Sequence, residues 1–111
     1  MQVRQGVYEK LSRETYRELT MTEPSIYPIL GLTSEVGELA GKFKKLYRDQ
    51  KGVEPPGFRD EVLLELGDVL WYLTQICTNV GFTLEQVAEA NLDKIMDRRR
   101  RGVLDGSGDM R

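Results

Sequence analysis

Apolar residues along the chain recur at intervals of three and four, the spacing of one helix face, and nowhere settle into a period of two, so the pattern predicts helices and no strand. Breakers divide the chain into four such stretches. The first spans residues 3–19 and ends before Thr20, Met21, Thr22, Glu23 and Pro24. The second opens at Ser25 or Tyr27 and runs to about residue 48, with Pro28 in its first turn, where a missing N–H costs nothing. Gly52, Pro55, Pro56 and Gly57 make residues 49–57 a loop. A third helix over residues 58–80 stops at Gly81, a natural cap. The fourth begins on a capping box, with Thr83 as N-cap and Gln86 three residues on, and continues to about residue 99. Residues 102–111 contain three glycines and form an irregular tail, either flexible or folded over a ligand. The expected fold is all-α, in one domain spanning residues 1–111.

Wound at about 100° per residue, the second helix gathers Ile29, Leu32, Val36, Leu39, Ala40, Phe43 and Tyr47 into a core stripe, with Glu35 and Glu38 on its flank. The third aligns Val62, Leu66, Val69, Leu73, Ile76 and Val80, and its acids Glu61, Glu65 and Asp68 run along one edge. Opposite that stripe, Leu64 and Trp71 form a second apolar ridge. A helix apolar nearly all round is central to an assembly, so the chain is expected to form a dimer or a dimer of dimers through this ridge. Base stacking is the competing role for Trp71, and Tyr72, beside the acidic edge, is the aromatic expected nearer a ligand.

Composition narrows the chemistry. With 16 basic and 18 acidic residues, the net charge of −2 gives no reason to expect a nucleic-acid or membrane binder. The first eight residues lack the apolar run of a signal peptide and no segment is apolar enough to span a bilayer, so the expected location is cytoplasmic. The single cysteine, Cys77, sits among Tyr72, Leu73, Ile76 and Val80 and reads as a small buried thiol. There is no histidine, which excludes Ser-His-Asp catalysis, histidine zinc sites and Glu-x-x-His di-iron bundles. Carboxylates, lysines, arginines and hydroxyls remain.

Glu35 with Glu38 and Glu65 with Asp68 are i,i+3 pairs, each placing two carboxylates on adjacent turns. If the two helices pack antiparallel, four negative charges converge, and a hard divalent cation with oxygen ligands is their natural partner. Gly37 and Gly67 stand inside the two pairs, and glycine costs about 0.8–1 kcal/mol relative to alanine in a helix interior, so close helix approach or room for a ligand is expected there. One such pair alone would be an ordinary solvated face. A non-catalytic helical interaction or regulatory module with a basic partner is the alternative, which explains the charges but not their alignment on two helices.

The run Gly31-Leu32-Thr33-Ser34-Glu35-Val36-Gly37-Glu38-Leu39, then Lys44-Lys45, then Glu65-Leu66-Gly67-Asp68-Val69-Leu70-Trp71-Tyr72, resembles the MazG-like family of all-α nucleoside triphosphate pyrophosphohydrolases. Asn91, Leu92, Lys94 and Arg99 extend the likeness from Tyr27 to the tail. The family signature is Glu-Glu-x-x-Glu followed at a distance by Glu-x-x-Asp, and Ser34 replaces its first glutamate here. The resemblance implies a four-helix bundle-like fold and cleavage of a nucleoside triphosphate between its α and β phosphates, in nucleotide-pool control. It implies magnesium, with manganese as substitute, held by Glu35, Glu38, Glu65 and Asp68, with Glu35 or Glu38 as base. Among the cations, Lys45 and Lys94 are the first choices for phosphate. Asn91, one turn from Lys94, together with Tyr72 and Arg99, completes the expected substrate set.

Overall fold

The computed structural model describes residues 1–17, 23 and 26–108. All regular structure among them is helical: α1 (Val7–Arg13), α2 (Ile26–Gln50), α3 (Phe58–Asn79) and α4 (Leu84–Arg101). The first helix is shorter than its apolar pattern suggests. Gly6 precedes it at φ 77°, a left-handed conformation that no helix can continue through. Past Arg13 the amides of Glu14, Thr15 and Tyr16 bond to carbonyls only three residues back, which tightens and ends the helix. The expected end of that helix at residues 18–19, the breakers 20–22 and 24, and the start at Ser25 lie outside the described residues.

α2 and α3 pack as an antiparallel hairpin. Phe43 meets Phe58 with ring centroids 5.3 Å apart, Lys42 reaches Glu61 at 3.4 Å, and near the other end Tyr27 meets Tyr72 at 6.2 Å. Along α2 the covered positions Pro28, Leu32, Glu35, Leu39, Lys42 and Leu46 alternate by four and three. Those of α3 in the same register are Phe58, Val62, Glu65, Val69, Tyr72 and Ile76. This heptad-like seam differs from the stripes expected from sequence, and it draws Glu35 and Glu65 from the flank into the helix–helix contact. A 100° wheel cannot distinguish the two, because Leu32, Leu39, Val62, Val69 and Ile76 belong to both.

The other stripe residues stay open: Ile29, Val36 and Phe43 on α2, and Leu66, Leu73 and Val80 on α3, are all exposed. The radius of gyration, 17.2 Å, exceeds the roughly 13 Å of a compact 111-residue domain. One chain therefore leaves a broad apolar face uncovered, and the helices do not close into a compact bundle.

α1 lies across α3 through polar groups. Gln75, fully buried, donates to Ser12 Oγ at 3.0 Å and accepts from Arg13 at 3.3 Å, while Arg13 also donates to Asn79 at 2.8 Å and sits 4.0 Å over the Tyr16 ring. The indole of Trp71 donates to Thr15 Oγ1 at 2.9 Å and packs against Tyr16. Trp71 is thus half-covered by its own chain, through Thr15 and Tyr16 in the turn after α1, while Leu64 stays exposed.

α3 ends where Gly81, at φ 87°, lets the amides of Gly81 and Phe82 turn back to the carbonyls of Thr78 and Cys77. Cys77 is buried, and burial pushes its thiol up. The capping box that opens α4 is present, with Gln86 N–H donating to Thr83 Oγ1 at 3.1 Å and Thr83 N–H to Gln86 Oε1 at 2.9 Å. The Leu84 N–H also donates to Glu9 at 3.4 Å, but α4 otherwise meets α3 sparsely. The tail turns back on the helix, Arg98 donating to the Gly108 carbonyl at 3.3 Å, and residues 109–111 lie outside the described residues. No helix among the described residues is long and apolar enough to cross a membrane.

Candidate functional site

Because position 35 of α2 and position 65 of α3 belong to the seam, their carboxylates face each other, and the i+3 geometry of α2 adds Glu38. One oxygen from each of Glu35, Glu38 and Glu65 lies within 4.8 Å of the others. Glu35 Oε2 and Glu65 Oε2 are buried without a hydrogen-bond partner. Two facing carboxylates offer only acceptors, so this arrangement is costly unless a proton or a cation intervenes. The Glu35 carboxyl is pushed up to about 7, first by burial, then by a proton held against Glu65 and by the negative charges of Glu38, Asp68 and Glu65.

Asp68 stands outside that tight cluster. It shares with Glu35, Trp71 and Tyr72 a cleft of about 330 Å³ at the end of the hairpin nearer α1. Trp71 and Tyr72 meet there edge to face, with centroids 5.0 Å apart and planes at 86°. Burial, a hydrogen bond with Tyr27 and the charges of Glu35 and Asp68 push the Tyr72 phenol up. From α1, Tyr8 is pushed up by burial and by Asp68, so the first helix also borders the acids.

Of the residues singled out from sequence, Glu35, Glu38 and Glu65 converge, and Asp68 and Tyr72 join Glu35 in the cleft. The others lie elsewhere in one chain. Lys45 lines a separate cleft with Lys42, Asp49 and Glu61 further along the hairpin. Asn91 and Lys94 line a third with Val87 on α4 and Phe82 just before it, and Arg99 is exposed near the C-terminal end of that helix. Sequence reasoning missed Gly31. A Cβ there would fall 2.1, 2.4 and 2.5 Å from three Tyr72 ring atoms, so the bare helix backbone at this point seats the ring. The available signal was its place one turn before Glu35 on the same face. At Gly37 and Gly67 a Cβ would meet nothing within 4 Å, so close approach within the chain does not explain them.

The fold and site together define an all-helical protein whose carboxylate cluster lies between two antiparallel helices and opens beside an aromatic corner. The chain belongs to the MazG nucleotide pyrophosphohydrolase domain family, whose model matches residues 26–103. The Gene 37 protein of Mycobacterium phage L5 is 45% identical over 85 residues, covering 77% of this chain and 75% of that protein. No solved structure matches the chain.

Proposed function

We propose that this chain is a magnesium-dependent nucleoside triphosphate pyrophosphohydrolase, converting a (deoxy)nucleoside triphosphate and water to the monophosphate and pyrophosphate in control of the nucleotide pool. The observation that carries the reading is the convergence of Glu35, Glu38 and Glu65 with two buried carboxylate oxygens left without partners. An all-oxygen donor set of this charge suits magnesium or manganese rather than zinc or copper, and it fits a metal. Glu35, Glu38, Glu65 and Asp68 would hold it. Magnesium bound there supplies charge neutralisation to the triphosphate and Lewis-acid activation of the attacked phosphorus.

Glu35 and Glu38 are assigned the proton of the attacking water. In the metal-free chain burial and the neighbouring carboxylates push the Glu35 carboxyl up to about 7, and a cation held beside it would lower it. Tyr72 is assigned to substrate as the aromatic nearest the acids. Lys45, Asn91, Lys94 and Arg99 are assigned to phosphate and ribose; for the last three the assignment requires a second copy to bring an α4 toward the cleft, and for Lys45 one to bring the far end of an α2. The uncovered face built from Ile29, Val36, Phe43, Leu66 and Leu73 supports a homodimer or homotetramer, since two such hairpins together would form the four-helix bundle that one chain does not close.

Purified wild-type, Glu38→Gln and Asp68→Asn proteins assayed for pyrophosphate release from all common nucleoside triphosphates test the reading. Each amide keeps the volume but removes a charged ligand, so turnover should fall by orders of magnitude while the fold survives. Undiminished turnover in both variants, or in excess chelator, would refute the assignment. Orthophosphate as the product would indicate removal of the terminal phosphate instead. A helical interaction module would show no turnover in any of the proteins.

A further inference from the structure

We infer that the Trp71 indole, oriented by Thr15 in the turn after α1, is the surface on which the nucleobase of the substrate stacks; this rests on the nucleotide reading above. Trp71 lines the same cleft as Glu35 and Asp68. The acids at one side of that cleft call for the cation and the phosphates, which leaves the aromatic side to the uncharged planar end of the ligand. With their planes at 86°, Trp71 and Tyr72 form a corner in which a flat ring lies along one aromatic face and against the edge of the other.

Thr15 fixes that corner. Its hydroxyl hydrogen donates to the Ser12 carbonyl at 2.7 Å, so the oxygen presents a lone pair to the Trp71 Nε1–H at 2.9 Å. Ser12 in turn accepts from buried Gln75, and Arg13 bridges Gln75 and Asn79, which anchors the end of α1 on α3. The indole has therefore spent its one polar group on Thr15 and offers a ligand only its π surface. Such a surface holds any base, because every base has a π face and none is read by hydrogen bonds there. Thr15 is a positioning residue, and Trp71 is the residue that touches substrate.

Trp71 is the single tryptophan of the chain, so its fluorescence reports this contact directly. In the intact protein with magnesium, α,β-methylene analogues of purine and pyrimidine nucleoside triphosphates should all quench it, and inorganic tripolyphosphate should not. By calorimetry, Trp71→Leu should weaken analogue binding by about tenfold or more, Trp71→Phe should retain most of it, and both should bind tripolyphosphate as wild type does. Thr15→Val should weaken analogue binding about three- to tenfold, with Thr15→Ser restoring it. Equal quenching by tripolyphosphate, or wild-type analogue affinity in Trp71→Leu, would overturn the inference. Quenching by analogues in a protein that releases no pyrophosphate would sustain the stacking surface and remove the hydrolase reading, whereas an unchanged KM for turnover in Trp71→Leu would do the reverse. Absence of any analogue binding would overturn both.

Discussion

Replacing Gly31 by alanine adds one methyl group at the point where α2 seats the Tyr72 ring. That carbon would lie 2.1 Å from the nearest ring atom, and ordinary carbon–carbon contact begins at about 3.5 Å, so the ring or the helix must retreat by about 1.4 Å. Tyr72 has little room to do so, because its ring is already set against Trp71 at 5.0 Å and Tyr27 at 6.2 Å. Overpacking of this kind costs about 1–3 kcal/mol. Alanine in place of a helical glycine returns about 1 kcal/mol, so the net loss is about 0–2 kcal/mol. In a domain of this size that lowers the melting midpoint by up to about 10 °C. Gly41→Ala is the matched control: a Cβ there meets nothing within 4 Å, and the substitution should raise the midpoint by about 4 °C or more. Displacing Tyr72 by about 1 Å or more at the wall of the cleft should also lower kcat/KM for pyrophosphate release by about tenfold or more, while Gly41→Ala leaves it unchanged. Circular-dichroism melting curves and steady-state kinetics on the two variants decide the matter. A Gly31→Ala protein that melts at or above Gly41→Ala with wild-type kcat/KM would show that the ring does not rest on this glycine.

Packing and charge lead to three more expected outcomes. In chelator, the folded chain holds a proton on Glu35 up to about 7 that the unfolded chain, with a carboxyl near 4.5, releases earlier; the folded state binds more protons in that window, so stability should fall as pH rises through it. Melting midpoints across the window should show the fall, Glu35→Gln should flatten it, and a midpoint that climbs instead would contradict the cluster. Val36→Glu and Leu73→Glu place charges on the uncovered face and should turn an oligomer into a monomer by light scattering, whereas a wild-type monomer at micromolar concentration would remove the assembly. Gln75→Leu strips the buried partner from Ser12 and Arg13, and should cost about 1–3 kcal/mol by denaturant unfolding and shift the Trp71 emission as α1 loosens; an unchanged spectrum would mean that α1 is held by other contacts.

Local chemistry makes much of this protein legible from its sequence. The second to fourth helices, the Thr83–Gln86 capping box and the stop at Gly81 depend on residues within a turn or two of one another, and each lies within a residue or two of where the sequence places it. The paired acids were visible for the same reason, since i,i+3 spacing on a helix fixes which side chains are neighbours. The tertiary structure decided which of two overlapping apolar stripes becomes the seam, because that choice depends on how the partner helix is rotated and not on the pattern of either helix alone. That rotation moved Glu35 and Glu65 from a flank into a contact and left Val36, Phe43, Leu66 and Leu73 open. It also decided the fate of Trp71, which the pattern of α3 assigns to an outer ridge and which Thr15, 56 residues earlier in the turn after α1, half-covers and hydrogen-bonds. The seat of Tyr72 on Gly31 was equally hidden: a missing side chain in one helix and a ring in another become complementary only when packing sets them face to face.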